Sequence, residues 1–342
     1  MSDPISSNPQ LIAGPYFEDF TRGMEFDAPA VTVTAGHASW HQALFADRLR
    51  LPLDHHRARL VSGTENALAH PLLAINIAIG QSTWASQRVK ANLFYRGLVL
   101  RKPVYLGDTL YTRTKVVAMR QNKLQAGRAA TGIVALEMTT TNQRDEVVLH
   151  FWRCPMLPCR DLEATTPHAD DLDSVGTAVT SSAIREAVAS HWQLESIQHW
   201  AGLRAADLQI GTHFRIESRD SVTSAPELVR LSLNMAMAHT DARLSYLGER
   251  LVFGGHTIFT CFSQITRALP NLLTLIAWEN CDHTAPVLEG DRLRSECFIK
   301  DIVPLETGRG ALLRIEANCF AARGEPESET QVLAWTFWAW SL

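Results

Sequence analysis

Residues 231–266 read LSLNMAMAHTDARLSYLGERLVFGGHTIFTCFSQIT, and this stretch decides the fold that we predict. It begins as an apolar run that is interrupted by Asn234 and His239, and it then passes through Gly254 and Gly255. The apolar residues after the glycines recur with the spacing of one helical face: Ile258, Cys261, Phe262 and Ile265. The stretch therefore predicts a buried helix whose N-terminus lies close to a polar site.

The start of this helix is predicted to bind a developing negative charge. The first N–H groups of a helix have no partner within it, and the helix dipole favours an anion at that end. Glycine also lets a ligand approach the backbone closely. We interpret the helix start as an oxyanion or substrate-binding site formed by Gly254, Gly255, His256 and Thr257.

Two polar side chains of the same stretch are predicted to be catalytic. His239 is the candidate general base, because imidazole titrates near neutral pH. Asn234 is neutral and cannot be a base, but its carboxamide can orient a water molecule or the imidazole. Structural interpretations remain open: His239 as a hydrogen-bonded structural histidine, Asn234 as a hydrogen bonder at a helix end, and the glycines as a tight turn.

The motif Asn-x-x-x-x-His-x-Asp at 234–241, followed by Gly-Gly-His at a helix start, resembles the MaoC-like (R)-specific enoyl-CoA hydratases. Their motif is Gly-Asp-x-Asn-Pro-x-His-x-Asp, with Ala-His-Gly opening the central helix of a hotdog fold. The stretches LVFGGHTI, NLFYRG and GDTLYTRTKVV, with residues 131–152, resemble the double-hotdog branch that includes mesaconyl-CoA hydratase. Asn234 stands where the general family has its catalytic Asp, and the mesaconyl branch tends to carry Asn there.

The resemblance implies an α+β fold in which two hotdog domains, each an antiparallel sheet around a long central helix, form a pseudo-dimer in one chain. It implies reversible hydration of an enoyl-CoA thioester, with mesaconyl-CoA-like acyl groups as a plausible class. No metal or redox cofactor is expected, and CoA enters as part of the substrate. A non-catalytic protein that binds acyl-CoA or acyl-carrier protein and an acyl-CoA thioesterase remain as alternatives.

Repeated markers predict an internal duplication. Gly-Asp at 107 and 290, Gly-Arg at 127 and 308, and His70 with His256 fall in the same order in both halves. We predict a first hotdog domain at 1–160 with its central helix at 66–87, a linker and connecting helix at 161–202, and a second hotdog domain at 203–342 with its central helix at 256–268. The connecting helix is expected to carry Ile184, Val188 and Trp192 on one face; Pro71 fits the first turn of the first central helix, and Thr34 the N-cap of an earlier one. Strand-like runs follow each central helix: NLFYRGLVL, GDTLYTRTKVVAM, ATGIVALEMTTTN and EVVLHFWRCPML in the first half, and GDRLRSECFIKDI, GALLRIEANCFAA and QVLAWTFWAW in the second. The first half has Asp47 at the position of Asn234, but Pro52 stands where the motif His would be and Pro71 has no N–H. One active site per chain, near His239, is therefore expected.

Composition limits the partners. A net charge of −4 over 342 residues gives no basic surface for nucleic acid, and six scattered cysteines favour free thiols in a reducing cytosol. The N-terminus is polar and no apolar stretch is long enough to span a bilayer, so we expect a cytoplasmic monomer or homodimer.

Cationic and metal-ligating residues give weaker signals. The basic stretch after the first central helix could bind the CoA phosphates through Arg88, Lys90 and Arg96, with Arg101 and Lys102 beside them. His239 with Asp241, and the run 54–56, lack a spaced third ligand, so no metal site is predicted.

Overall fold

The computed structural model of the protein describes residues 12–324 and 328–342. The first half consists of two short strands, four helices and four long strands. In chain order these are β1 (Glu25–Asp27), β2 (Val31–Thr32), α1 (Ala35–Phe45), α2 (Arg50–Leu53), α3 (His55–Ser62), α4 (Pro71–Ser82), β3 (Ala91–Leu100), β4 (Thr109–Gln121), β5 (Thr131–Thr141) and β6 (Val147–Pro158).

The second half repeats this plan with fewer helices. After α5 (Ser181–Glu186) it contains β7 (His213–Arg215), β8 (Asp220–Ser221), α6 (Ala225–Leu231), α7 (Gly254–Ala268), β9 (Leu272–His283), β10 (Arg292–Pro304), β11 (Ala311–Arg323) and β12 (Ser328–Ser341). The predicted α+β class and the internal duplication therefore agree with the order of elements in the two halves.

The strands form one continuous antiparallel sheet with a mirrored order. That order is β1-β4-β5-β6-β3-β9-β12-β11-β10-β7, with β2 on β4 and β8 on β10. The two halves join where β3 pairs with β9, with Leu98 opposite Trp278 and Val99 opposite Ala277. The two sheets of the predicted pseudo-dimer are thus fused edge to edge, which removes an exposed edge from each.

Each half packs its sheet around a buried central helix, as predicted. Every residue of α4 is buried, and Pro71 occupies its first turn after His70, whose Nδ1 accepts the N–H of Leu72. In α7 all residues from Gly255 to Thr266 are buried. The predicted helical segment 66–87 is longer than α4, because residues 67–69 bond to the β3–β4 connection instead.

Glutamines fix the correspondence between the two central helices. Gln81 Nε2 donates to the carbonyl of Leu110 at 2.9 Å, and Gln264 Nε2 donates to the carbonyl of Leu293 at 2.8 Å. Gln264 follows Gln81, and Leu293 follows Leu110, by the same number of residues. That offset places His70 opposite Phe253, which precedes the first residue of α7 as His70 precedes α4. The predicted pairing of His70 with His256 is therefore wrong by one helical turn.

Two further predictions need correction. The amphipathic helix expected to carry Ile184, Val188 and Trp192 ends at Glu186. Arg309 binds the carbonyls of Ala189 and Trp192 at 2.9 and 3.0 Å, which stabilises turns in place of a longer helix. Strand β9 was not predicted at all, although its pairing with β3 joins the two halves.

Candidate active site

A cavity of about 250 Å³ lies between the two halves of the chain and contains most of the predicted site residues. The second half contributes side chains from the segment after α6, from the start of α7 and from the end of β9. The first half contributes the end of α4 and strands β3 and β6. The polar lining is formed by Thr83, Lys90, Asn92, Tyr95, Arg153, Asn234, His239, Tyr246, Thr257, His283 and Thr284.

A backbone turn directs Asn234 into this cavity. Helix α6 ends at Leu231, and Leu233 adopts φ 55°, a left-handed conformation that non-glycine residues rarely adopt. Asn234 Oδ1 then accepts the N–H of Ala236 at 2.9 Å. Its Nδ2 group, the donor of the carboxamide, makes no hydrogen bond to the described residues and is available to a ligand.

The first half of the chain holds this segment in place. A Cβ on Gly80 would lie 1.7 Å from the carbonyl oxygen of Ser232, so only glycine allows α4 to approach so closely. Met235 donates its N–H to Thr83 Oγ1 at 2.8 Å, and Met237 donates its N–H to the carbonyl of Gln87 at 2.7 Å. The geometry of the segment therefore depends on both halves.

His239 is oriented as a base. Its Nδ1 lies 2.9 Å from the carbonyl oxygen of Leu251, which can only accept, so Nδ1 carries the proton and Nε2 carries the lone pair. Burial lowers the pKa of His239 to about 4; the nearby cation Arg153 lowers it further, whereas the bond to Leu251 opposes the shift. The imidazole is consequently neutral at physiological pH and able to accept a proton.

Of the four residues predicted to form an oxyanion site at the start of α7, two line the cavity and two do not. Gly254 and Thr257 line the cavity, and the Gly254 N–H has no partner among residues 12–324 and 328–342. Gly255 faces the other central helix instead, where a Cβ would lie 2.3 Å from Asn76 Oδ1. His256 is buried beside the ring of Phe45, with centroids 5.0 Å apart. The structure therefore brings Gly254 and Thr257, and not Gly255 or His256, to the site.

Sequence reasoning missed His283, at the end of β9. It lines the cavity, and its Nε2 is buried without a partner in the described part of the chain. A Cβ on Gly254 would lie 2.4 Å from this nitrogen, so the ring lies against the helix start. Burial, and then the neighbouring His239, lower the pKa of His283 to about 4. The sequence could have indicated His283 only if strand β9, which ends at this residue, had been predicted.

Comparison with known proteins gives the family. No protein-family model matches the chain. It is 33% identical over 317 residues to the beta-methylmalyl-CoA dehydratase of Chloroflexus aurantiacus, covering 87% of this chain and 86% of that protein. It is 29% identical over 314 residues to the mesaconyl-CoA hydratase of Cereibacter sphaeroides, covering 89% of each.

Solved structures agree with these relatives. A conserved hypothetical protein from Mycobacterium tuberculosis with a double hotdog fold matches with a TM-score of 0.89 at 44% identity, over 96% of this chain and 99% of that one. A protein described as a MaoC domain dehydratase from Chloroflexus aurantiacus matches with a TM-score of 0.80 at 26% identity, over 99% of each chain. The chain belongs to the MaoC-like hydratases and dehydratases. The predicted double hotdog and the predicted class of enoyl-CoA hydratases and dehydratases are thereby confirmed.

The first half of this MaoC-like chain repeats the turn before Asn234. Ala46, with φ 48°, follows α1 as Leu233 follows α6, and Asp47 comes next. The Asp47 carboxylate lies 3.0 Å from His70 Nε2 and also accepts the N–H of Leu49 at 2.8 Å. Both side chains are buried, and neither lines the cavity that contains His239. This pair is engaged in internal contacts, in line with the prediction of a single site per chain.

The three cations predicted to bind CoA lie in three different surroundings. Lys90 lines the cavity that contains His239 and also an adjoining groove of about 660 Å³. Arg88 lies beside a further small pocket, with its guanidinium over the ring of Tyr16. Arg96 donates to the carbonyls of Leu172 and Val175 at 2.7 and 2.9 Å, so it anchors the linker rather than facing the site.

The adjoining groove contains cations that the sequence did not single out. Lys123 and Arg128 lie in the exposed connection between β4 and β5 and line the groove with Lys90. No ion pair involves any of the three within the described residues. Tyr246 lines both the groove and the cavity that contains His239, so the two spaces are neighbours.

Other predicted features of this MaoC-like protein lie elsewhere. Asp241 pairs with Arg243 at 2.7 Å and caps a short helical turn rather than entering the cavity. No cluster of three side chains suited to a metal occurs in the described ranges. Within the same ranges, no helix is long and apolar enough to cross a bilayer.

Proposed function

We propose that this protein catalyses the reversible addition of water to the carbon–carbon double bond of an enoyl-CoA thioester, as a hydro-lyase. The observation that carries the proposal is the tautomer of His239, which leaves the lone pair on Nε2. His239 lines the same cavity as Gly254, whose N–H has no partner among the described residues. A base and an oxyanion donor in one cavity are the two requirements of this reaction. Support for the substrate class comes from the relatives named for mesaconyl-CoA and beta-methylmalyl-CoA.

In the hydration direction, the thioester carbonyl accepts the Gly254 N–H at the positive end of α7. His239 Nε2 removes a proton from water as the water oxygen attacks the β-carbon, and negative charge builds on the thioester oxygen. The imidazolium then returns its proton to the α-carbon, so the base is regenerated. Asn234 contributes its free Nδ2 group, which donates to the water oxygen and holds it for attack. Dehydration follows the same steps in reverse.

The groove beside the cavity is the proposed path of the CoA moiety. The acyl group occupies the cavity, and the pantetheine chain passes Lys90 and Tyr246, which line both spaces. The phosphates then lie near Lys123 and Arg128, whose charges are free to pair with them. A charged, exposed wall suits phosphates better than the enclosed cavity does.

Assays with a small panel of enoyl-CoA thioesters test this proposal against its alternatives. Hydration without release of free CoA is the expected result for mesaconyl-CoA and its close analogues. Release of free CoA would show a thioesterase instead. Tight binding of CoA thioesters with neither hydration nor CoA release would show a non-catalytic binding protein.

A further inference from the structure

Arg153 is a buried cation in the wall of the catalytic cavity. It lies on β6, where it pairs in register with Tyr95 of β3, and only 3% of it is exposed. Both residues line the cavity that Asn234 and His239 of the second half also line. The mechanism proposed above gives Arg153 no role.

The guanidinium of Arg153 is only partly satisfied by the protein. Its Nη2 donates to the carbonyl of Ser82, the last residue of α4, at 3.2 Å and to Oγ of Ser86 in the segment that follows. Its Nε is buried without a partner, and its Nη1 makes no hydrogen bond to the described residues. No carboxylate pairs with it within those residues. A buried charge without a counter-ion is unfavourable, so such an arrangement is typical of a binding site.

The surroundings keep this side chain charged even so. Burial lowers the pKa of Arg153, but an arginine pKa starts far above neutral pH. The carbonyl of Ser82 belongs to the C-terminal end of α4, where the helix dipole favours a cation. The charge is also felt at the base, because Arg153 contributes to the lowered pKa of His239. Arg153 and His239 therefore act on the same small volume.

From this placement we infer that Arg153 binds a second, free carboxylate on the acyl group and so selects dicarboxylic enoyl-CoA thioesters over monocarboxylic ones. This inference rests on the proposed function and specifies the substrate of the same site. In mesaconyl-CoA-like thioesters the free carboxylate is attached to the β-carbon that water attacks. Its receptor must therefore lie close to the base, as Arg153 does. The N–H groups on Nε and Nη1 have no acceptor among the described residues and can donate charge-assisted hydrogen bonds to a carboxylate.

The inference has a structural alternative, in which Arg153 only ties β6 to the end of α4. In that case its loss would impair every substrate equally. The test compares mesaconyl-CoA with its C4 carboxamide analogue, which has nearly the same size but no charge. Hydration of both is measured for the wild type, for Arg153→Gln and for Arg153→Lys. Arg113→Gln, an exposed cation on β4, serves as the matched control.

We expect wild-type kcat/KM to favour the carboxylate over the carboxamide by at least about tenfold. Arg153→Gln should lower kcat/KM for mesaconyl-CoA by roughly 10- to 100-fold, the range of a charged hydrogen bond, while changing the carboxamide value by less than about threefold. Arg153→Lys should restore part of the preference, since it keeps the charge but not the planar fork. Arg113→Gln should change neither substrate.

Three results would overturn the inference. Equal losses for both substrates in Arg153→Gln would show a structural role. Equal wild-type values for the carboxylate and the carboxamide would exclude selection by charge, and this measurement needs no variant to fold. Wild-type protein that hydrates other enoyl-CoA thioesters but neither of these compounds would overturn the inference and leave the proposed function standing, whereas failure to hydrate any thioester of the panel would remove both.

Discussion

The backbone N–H of Met235 donates to the hydroxyl oxygen of Thr83 at 2.8 Å. This bond joins the segment that carries Asn234 and His239 in the second half to the end of the central helix in the first. Thr83 follows α4 directly and donates its own proton to the carbonyl of Gly80. The first half therefore helps to fix the position of the segment that carries Asn234 and His239.

Loss of this bond should reduce activity before it unfolds the protein. Thr83→Val keeps the shape of the side chain but leaves the Met235 N–H without its acceptor, which should lower the free energy of unfolding by about 1–3 kcal/mol. We expect kcat to fall by roughly tenfold or more, since small displacements of catalytic groups are costly. Thr83→Ser keeps the hydroxyl and should retain most activity. Denaturant unfolding and steady-state kinetics on both variants check this; equal behaviour of the two would contradict it.

Removal of the base should have a larger effect than removal of the positioning amide. His239→Ala should lower kcat by about 10²–10⁴-fold, the usual contribution of general acid–base catalysis, with acyl-CoA binding largely retained. Asn234→Ala should lower it less, because only the orientation of water is lost. Near wild-type hydration by His239→Ala would place the chemistry on another residue.

The pH dependence of kcat/KM should report the lowered pKa of His239. With a pKa of about 4, the imidazole is the active neutral base across neutral pH, so kcat/KM should stay level there and fall only as pH drops towards 4. Asn234→Asp adds a carboxylate that favours the imidazolium and raises this pKa. The acid limb should therefore move to higher pH in that variant. An acid limb at the same pH in both proteins would argue against His239 as the titrating base.

The two glycines at the start of α7 should respond differently to alanine. In Gly254→Ala the new methyl group would meet His283 Nε2 at 2.4 Å in the cavity, so activity should fall more than stability. In Gly255→Ala it would meet Asn76 and the ring of Phe253, so the free energy of unfolding should fall by about 1–3 kcal/mol, an amount typical of overpacking, and the melting temperature should fall with it. Thermal melts and kinetics on both separate the two effects; a reversed pattern would show that the roles are exchanged.

Cations of the groove should affect KM for CoA thioesters, whereas the cation of the linker should not. Lys123→Gln and Arg128→Gln together should raise KM several-fold, and the effect should weaken at high salt because exposed charges are screened. Arg96→Gln should leave KM unchanged and lower the melting temperature, since its bonds to the linker carbonyls are lost. Kinetics at two ionic strengths measure this. A raised KM in Arg96→Gln alone would favour the original prediction for that residue.

Local patterns in the sequence were sufficient for α1, for the two central helices and for the long strands other than β9, but not for α2, α3 and α6 or for the end of α5. Pro71 in the first turn of α4 and Thr34 as the cap of α1 are properties of a few neighbouring residues, and the structure has both. The spacing of His239 and Asn234 in one segment, which carries the family resemblance, also predicted them as neighbours in one site, and the structure places both in the wall of one cavity. Such features depend on interactions within a few residues or on a motif, and both can be recognised in the sequence itself.

The tertiary structure alone decided which side chains meet across the chain. Arg153 and His283 are far apart in sequence from each other and from Asn234, and neither belongs to a motif, yet sheet pairing brings both to the cavity. Tertiary packing also places Gly255, His256 and Arg96 outside the site that the sequence predicted. The physical reason is that register and helix packing set these positions, and both depend on the shapes of surfaces distant in the sequence.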